Sequence, residues 1–297
     1  MSVTITIKQR GLFKKKFTMD DVVSWLGLSY GVMDDDFVLE EDKIGDSVTF
    51  YDSKRIGRGF DCRIVNKGVE MRLNLPNTNH DIELFYQAVQ TIGEHLKVKT
   101  VLWEDMQMIP FRRFPEFMQS DRDTSVSALR HFQKETSNKP DSPFMMFAVR
   151  NPISLGQKHL DAVDGDLDKF EELLHKLQSE DYFYARFRFF KKDEASGPII
   201  GVSFVGDNIL SVVPAKPEKP IGCNDEIKGY YVRLPGNNVP LQVFLDNVVP
   251  VGEYDADHIK VCLDEKQIND IIAKGTVDAW TGEAVPCVPY RRNSNAQ

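Results

Sequence analysis

The chain has 297 residues, more than one ordinary domain of about 100–200 residues holds. With 41% hydrophobic and 28% charged side chains it has a globular composition, and no apolar run approaches the ~18 residues that suggest a membrane span. Its formal net charge of −8 at pH 7 argues against a protein that holds nucleic acid by bulk positive charge, because phosphate binding draws on an excess of Lys and Arg.

The first residues alternate polar and apolar, which predicts a strand over 3–9 with Val3, Ile5 and Ile7 on one face. They lack the charged and apolar regions of a signal peptide, so a cytoplasmic protein is expected. A basic turn over 11–16 follows, then a short helix over 20–26 that Thr18 can cap, with Asp20 and Asp21 in the favourable first turn. Asp34-Asp35-Asp36 and Glu40-Glu41-Asp42 read as acidic loops. Strands are expected over 47–51 and 60–65, and Asn66-Lys67-Gly68 makes 60–75 a hairpin.

The strongest helix spans 80–97, where Ile82, Phe85, Val89, Ile92 and Leu96 recur at spacings of three and four, with Asn79 as its N-cap. A strand over 98–103 follows. Residues 111–136 are helical in character, with breaks at Pro115 and Ser120. The stretch 137–143, Ser-Asn-Lys-Pro-Asp-Ser-Pro, reads as a linker. Beyond it come a strand over 144–150 and a helix from Asp166 or Asp168 to about Ser179. An aromatic strand over 182–190 is expected to pair with 199–205 across a turn at 193–197. Pro214, Pro217 and Pro220 form a semi-rigid connector. The last elements are a strand over 229–234, a short helix over 240–249, a strand over 258–263, a helix over 264–274 and a frayed tail from Tyr290. These elements imply an α+β fold in two domains, 1–138 and 139–297, with mixed or mainly antiparallel sheets each packed against helices.

The passage from Leu75-Pro76 to Val89 is echoed from Leu234-Pro235 to Val248, with a leucine, proline, asparagine, phenylalanine and valine in matching places. In both, proline stops a strand and asparagine caps a helix whose apolar residues face a sheet. The densest polar cluster, Asn77, Asn79, His80, Asp81 and Glu83, stands at the first of these helix starts. A helix N-terminus suits an anion, and His80 with Asp81 offers acid–base chemistry, but capping and dipole complementarity explain the same residue types. His80 and Asp81 are sequence neighbours and do not face each other on a helix. Asn77, Asn79, His80, Asp81, Asn237 and Asn238 are the candidate binding residues; no catalytic residue is assigned.

Other motifs read as structure. The acidic run from Asp161 to Glu171 puts Leu160 and Ala162 where an EF-hand needs oxygen ligands, so it is a helix start and no metal site is expected. Arg55-Ile-Gly57-Arg58-Gly59 lacks the third glycine of a phosphate fingerprint and reads as a turn with its arginines in solvent. Arg186 and Arg188 among aromatics could stack bases, but a core strand with one arginine-bearing face is the simpler reading. Cys62, Cys223, Cys262 and Cys287 are widely spaced, so reduced thiols are expected and zinc is not.

The opening Ser2-Val3-Thr4-Ile5-Thr6-Ile7-Lys8, the passage Arg72-Leu73-Asn74-Leu75-Pro76-Asn77-Thr78 to Asp81-Ile82, and the chain length resemble a bacterial family of about 300 residues with no assigned function. The resemblance implies a bacterial cytoplasmic protein and no particular reaction, cofactor or catalytic residue. With no concentrated nucleophile, acid–base or metal constellation, the expected function is a non-enzymatic binding or protein-interaction module, without cofactor, membrane or nucleic-acid partner, acting on another protein or on itself. One alternative is a hydrolase or transferase with a site in an interdomain cleft near His80 and Asp81. Another is a structural dimer subunit that pairs through a strand edge.

Overall fold

The structure, a computed structural model, describes residues 1–9, 16–35, 37–66, 68–104, 106–139, 142–192, 198–217 and 224–292. The basic turn at 11–15, the hairpin turn residue Lys67, the linker residues Pro140 and Asp141, the turn at 193–197, the connector's Pro220, Cys223 and the tail beyond Arg292 lie outside the described residues. The fold is α+β. The chain forms two compact units, Met1–Glu180 and Asp181–Gln297. The expected junction at 137–143 thus falls inside the first unit, between a long helix and the next strand.

In chain order the first unit holds β1 (Ser2–Lys8), α1 (Met19–Leu26), β2 (Ser29–Met33), β3 (Leu39–Glu41), β4 (Val48–Tyr51), β5 (Phe60–Val65) and β6 (Gly68–Asn74). It continues with α2 (Asn79–His95), β7 (Thr100–Trp103), β8 (Gln107–Pro110), α3 (Phe114–Asn138), β9 (Phe144–Phe147), β10 (Pro152–Leu155), α4 (Gln157–Val163) and α5 (Leu167–Gln178). Strands β1 to β8 make one antiparallel sheet in the order β3-β2-β4-β5-β6-β1-β7-β8, and β9 pairs with β10. Val48 pairs with Cys62, Cys62 with Met71 and Met71 with Ile5, so one fully buried row crosses four strands. That row needs the period-two alternation read from the sequence.

Helix α2 lays Ile82, Phe85, Val89 and Ile92 against β1 and β6. Rings then run in contact through the core: Phe50 to Phe60, Phe60 to Phe85, Phe85 to Tyr86 and Tyr86 to Phe114, with centroids 5.0–5.9 Å apart. Gly93 on α2 faces the Phe111 ring, and any Cβ there would run into it.

Several local expectations are corrected. Thr78, not Asn79, caps α2: its backbone is extended and its Oγ1 accepts the Asp81 N–H at 3.0 Å. Helix α3 runs unbroken past Pro115 and Ser120, because proline in a first turn removes an N–H that has no helical partner. The strand from 144 stops at Phe147, and β10 and α4 follow in a stretch that carried no expected element. Thr18 does cap α1, as expected, in a reciprocal box with Asp21.

The second unit holds β11 (Phe183–Tyr184), β12 (Arg188–Lys191), β13 (Ile199–Phe204), β14 (Ser211–Pro214), β15 (Ile227–Leu234), β16 (Asn237–Pro240), α6 (Leu241–Asn247), β17 (Gly252–Glu253), β18 (His258–Val261) and α7 (Glu265–Ile272). Two four-stranded sheets form, β11-β14-β18-β17 and β12-β13-β15-β16, each containing one parallel pair. Their shared core includes Ala185, Phe187, Val213, Val232, Phe244 and Ile268. The expected single strand over 182–190 is two strands in different sheets, although its second part does pair antiparallel with β13. The turn Pro235-Gly236 leads into strand β16, not into a capped helix, so Asn237 and Asn238 are strand residues and the echo of 75–89 stops there. The described tail is anchored, since Tyr290 exchanges two hydrogen bonds with Asn269 and Arg292 makes a bidentate pair with Asp207.

Asp121 of α3 is buried and accepts the Tyr86 hydroxyl at 2.8 Å. Desolvation, with Glu104 adding to it, raises its carboxyl to about 6 against the hydrogen bond from Tyr86. The native state therefore holds this proton more tightly than the unfolded chain, and the associated stability is complete below about pH 4 and lost as pH rises through 6. Asp121→Asn keeps an acceptor for Tyr86 and removes the titration. Its stability relative to the native protein should rise by about 2–3 kcal/mol between pH 4 and pH 7.5, measured by urea unfolding; a constant difference would refute the assignment.

Candidate functional site

Four candidate residues meet at the start of α2. Asp81 is fully buried, and its Oδ2 accepts the backbone N–H groups of Arg58 at 2.7 Å and Gly59 at 3.0 Å. Its Oδ1 is buried without a partner among the described residues. Burial raises the Asp81 carboxyl, and the two backbone donors oppose that shift. Asn77, also fully buried, receives Thr78 N–H on its Oδ1 at 2.8 Å and donates to Gly59 O at 3.2 Å, while its own N–H goes to Ser125 Oγ of α3 at 3.1 Å. His80 Nε2 lies 2.9 Å from Asp52 Oδ2, and Asn79 donates to Asp168 of α5 at 2.8 Å.

The loop 52–59 is the other half of this cluster. Its arginines do not simply face solvent. Arg58 donates to Phe147 O and Pro76 O at 2.8 and 2.6 Å, and desolvation pulls its guanidinium down to about 10. Arg55 pairs with Glu171 at 2.5 Å, Ile56 N–H reaches His175 Nδ1 at 3.1 Å, and Gln178 donates to Gly57 O at 2.9 Å. Asp52, Arg55, Arg58, Glu171, His175 and Gln178 were not among the candidates. Only the glycine spacing of 57 and 59 marked the loop, and their partners are far away in sequence. The cluster is a clasp in which most polar atoms meet protein partners, Asp81 Oδ1 and Glu171 Oε2 being the buried exceptions among the described residues, and His80 and Asp81 are each bonded elsewhere and not to one another.

The other two candidates belong to the second unit. Asn237 is buried and clamps Val288 through both its N–H and its C=O, at 2.9 Å each, which is a structural task. Asn238 lines an open groove of about 300 Å³ on the sheet β12-β13-β15-β16. The register explains this groove. Arg188 pairs with Val202, Phe190 with Ile200, Phe204 with Arg233 and Arg233 with Asn238, so all of these share one face. The opposite face, with Val232, Leu234 and Val239, packs into the core beside α6 and α7. On the groove face, among the described residues, Val277, Ala279 and Trp280 pack over Ile200, Val202 and Tyr231. Phe190 and Phe204 remain 40% and 39% exposed.

The charges around the groove are unequal. Arg188 lies 5.8 Å above the Phe204 ring, and neither it nor Arg233 has a carboxylate partner among the described residues. Lys191 pairs with Asp225 at 2.7 Å. Asp278 is held below the usual carboxylate range by the backbone N–H of Thr281 and then of Trp280, with Lys192 nearby. Phe204, Arg233 and Trp280 escaped the sequence reading, which marked Phe190 only as part of the aromatic strand over 182–190. Among the described residues no group of three or more His, Cys, Asp or Glu could hold a metal ion, and no helix is long and apolar enough to cross a membrane.

A family model described as "Domain of unknown function (DUF4299)" matches residues 2–271, and the chain belongs to that family. No curated protein and no solved structure matches it.

The clasp at α2 makes its own prediction. A Cβ on Gly57 would run into the Asp81 carboxylate and press on Thr78 Cγ2 at 3.2 Å. Gly57→Ala should cost about 2 kcal/mol by overpacking, read as a lower urea midpoint with unchanged slope. A loss below about 0.5 kcal/mol, the range of ordinary surface substitutions, would show that the loop is not clamped.

Proposed function

We propose that this protein is a binding or protein-interaction module whose groove on β12-β13-β15-β16 takes an acidic, partly apolar peptide segment of another protein. The observation that carries this reading is the pairing of two exposed phenylalanines and Trp280 with two arginines that lack carboxylate partners among the described residues. An aromatic floor gains by leaving water, and unpaired guanidinium groups select carboxylates. A short acidic segment meets only this local patch. A long polyanion such as nucleic acid also meets the repulsion of a chain with net charge −8. A bacterial cytoplasmic setting belongs to the same reading, and the free thiols Cys62, Cys262 and Cys287, the last exposed, suit a reducing compartment. Asp81, wholly buried, gives little support to the alternative of a hydrolase acting there.

Fluorescence anisotropy with a labelled peptide of alternating Glu and Leu residues tests the proposal. Binding should be micromolar and weaken with added salt. Both Arg233→Glu and Trp280→Ala should reduce affinity about tenfold, the loss of about 1.4 kcal/mol expected for one anchoring contact. Absent binding, affinity indifferent to both substitutions, or displacement of the peptide by a thymidine oligonucleotide would each overturn it.

A further inference from the structure

The second sheet of this unit carries a separate constellation. Tyr184 on β11 pairs with Val212 of β14, and His258 on β18 pairs with Pro214 of the same strand. Val212 and Pro214 are two residues apart, so Tyr184 and His258 stand on one face, across the central strand. Tyr184 Oη lies 3.0 Å from His258 Nε2. His258 Nδ1 lies 2.8 Å from Asp255 Oδ1, which also accepts Asp257 N–H at 3.0 Å and His258 N–H at 2.9 Å. The side chain of Asp255 is 0% exposed and that of His258 8%, while Tyr184 is half-buried.

One tautomer of His258 satisfies both contacts. An ionised carboxylate only accepts, so Nδ1 of His258 carries the hydrogen. Nε2 is then the acceptor, and the Tyr184 hydroxyl donates to it. A hydroxyl, an imidazole and a buried carboxylate thus form one directed chain, the arrangement by which a hydroxyl becomes a nucleophile. The same face carries Lys260, which pairs with Val212, and Tyr182 and Tyr254, whose hydroxyls are 2.6 Å apart. The turn at Asp255 would need only the carboxylate and two backbone donors, and does not require a tyrosine aligned with the far nitrogen of the ring.

We propose that Tyr184 is the nucleophile of an acyl-transfer site, acting on activated esters, with His258 as its general acid–base and Asp255 as the residue that positions the imidazole. In the first step the Tyr184 O–H bond breaks and its proton passes to His258 Nε2 as the Oη–C bond forms. The ester C–O bond then breaks, and the leaving oxygen takes the proton back from Nε2. Asp255 stays ionised and holds the imidazolium. Water attacking the acyl-tyrosine gives its proton to His258 in turn and frees the hydroxyl. Water is the one further reactant, and no oxidant enters.

The test uses the full chain and p-nitrophenyl acetate, following nitrophenolate release and locating the acetyl group by peptide mass spectrometry. The acetyl group should appear on Tyr184 at least tenfold faster than on any other tyrosine. Tyr184→Phe should remove that label. His258→Ala should abolish it, and added imidazole should restore it, which a purely structural role would not allow. Asp255→Asn keeps an oxygen for the two backbone donors and should slow labelling about tenfold. If His258→Ala fails to fold by circular dichroism, Asp255→Asn and Tyr184→Phe decide. Label first on His258 or a lysine, a Tyr184 rate no greater than that of other tyrosines, or labelling indifferent to His258→Ala or Asp255→Asn would each overturn the proposal.

Discussion

A carboxylate with no exposure to water organises the first unit. Burying the Asp81 side chain is costly unless donors meet it, and the donors are the backbone N–H groups of Arg58 and Gly59. That demand brings the loop between β4 and β5 onto the start of α2 and leaves no room for a side chain at position 57. With the loop in place, Gln178 and Glu171 of α5 find Gly57 and Arg55, and Arg58 reaches the carbonyl that ends β9. Asn77 adds α3 through Ser125. Two helices, a hairpin and a loop are therefore tied to one helix start. Removing a hydrogen-bond partner from a buried polar group of this kind typically costs about 1–3 kcal/mol, more than an exposed ion pair usually contributes.

The second unit follows a different constraint. Its sheet β12-β13-β15-β16 buries apolar residues on both faces, as strands with parallel neighbours tend to do. Helices α6 and α7 cover one face, and among the described residues a short segment around Trp280 covers part of the other. The remainder of that face is the groove. Exposed aromatics on that face, beside guanidinium groups without a carboxylate partner among the described residues, leave apolar area in water that burial would remove.

Elements set by local chemistry were legible in the sequence. Helices α2 and α5 announced themselves by periodicity, α1 by Thr18, and the β5–β6 hairpin by alternation and a turn. Thr78 and Asn79 compete for one cap, and the choice falls to Thr78 because Asn79 is held by Asp168, which is 89 residues away. Arg58 looks like a solvent arginine until Phe147 O, also 89 residues off, is in view. The groove has the same character. Asn238 was named for a helix start that is in fact a strand, and its neighbours Phe190 and Trp280 come from distant parts of the chain. Contacts of that range leave no periodic trace in one sequence.

The segment 182–190 shows why an aromatic run could not be assigned one role. Tyr184 pairs with β14 and turns to His258; Ala185 and Phe187 enter the core shared by both sheets; Arg188 and Phe190 emerge on the groove face of the other. The strand breaks at 185–187 because the Ala185 N–H bonds Val212 O while its carbonyl accepts the buried Ser203 hydroxyl from β13. That residue hands the chain from one sheet to the other. A uniform strand over these positions would place Tyr184 and Phe190 on the same face of the same sheet, since they differ by an even number of residues. The handover separates them, and with them the relay and the groove. One short stretch thereby supplies side chains to two distinct surfaces, and the core it fills in between holds both in register.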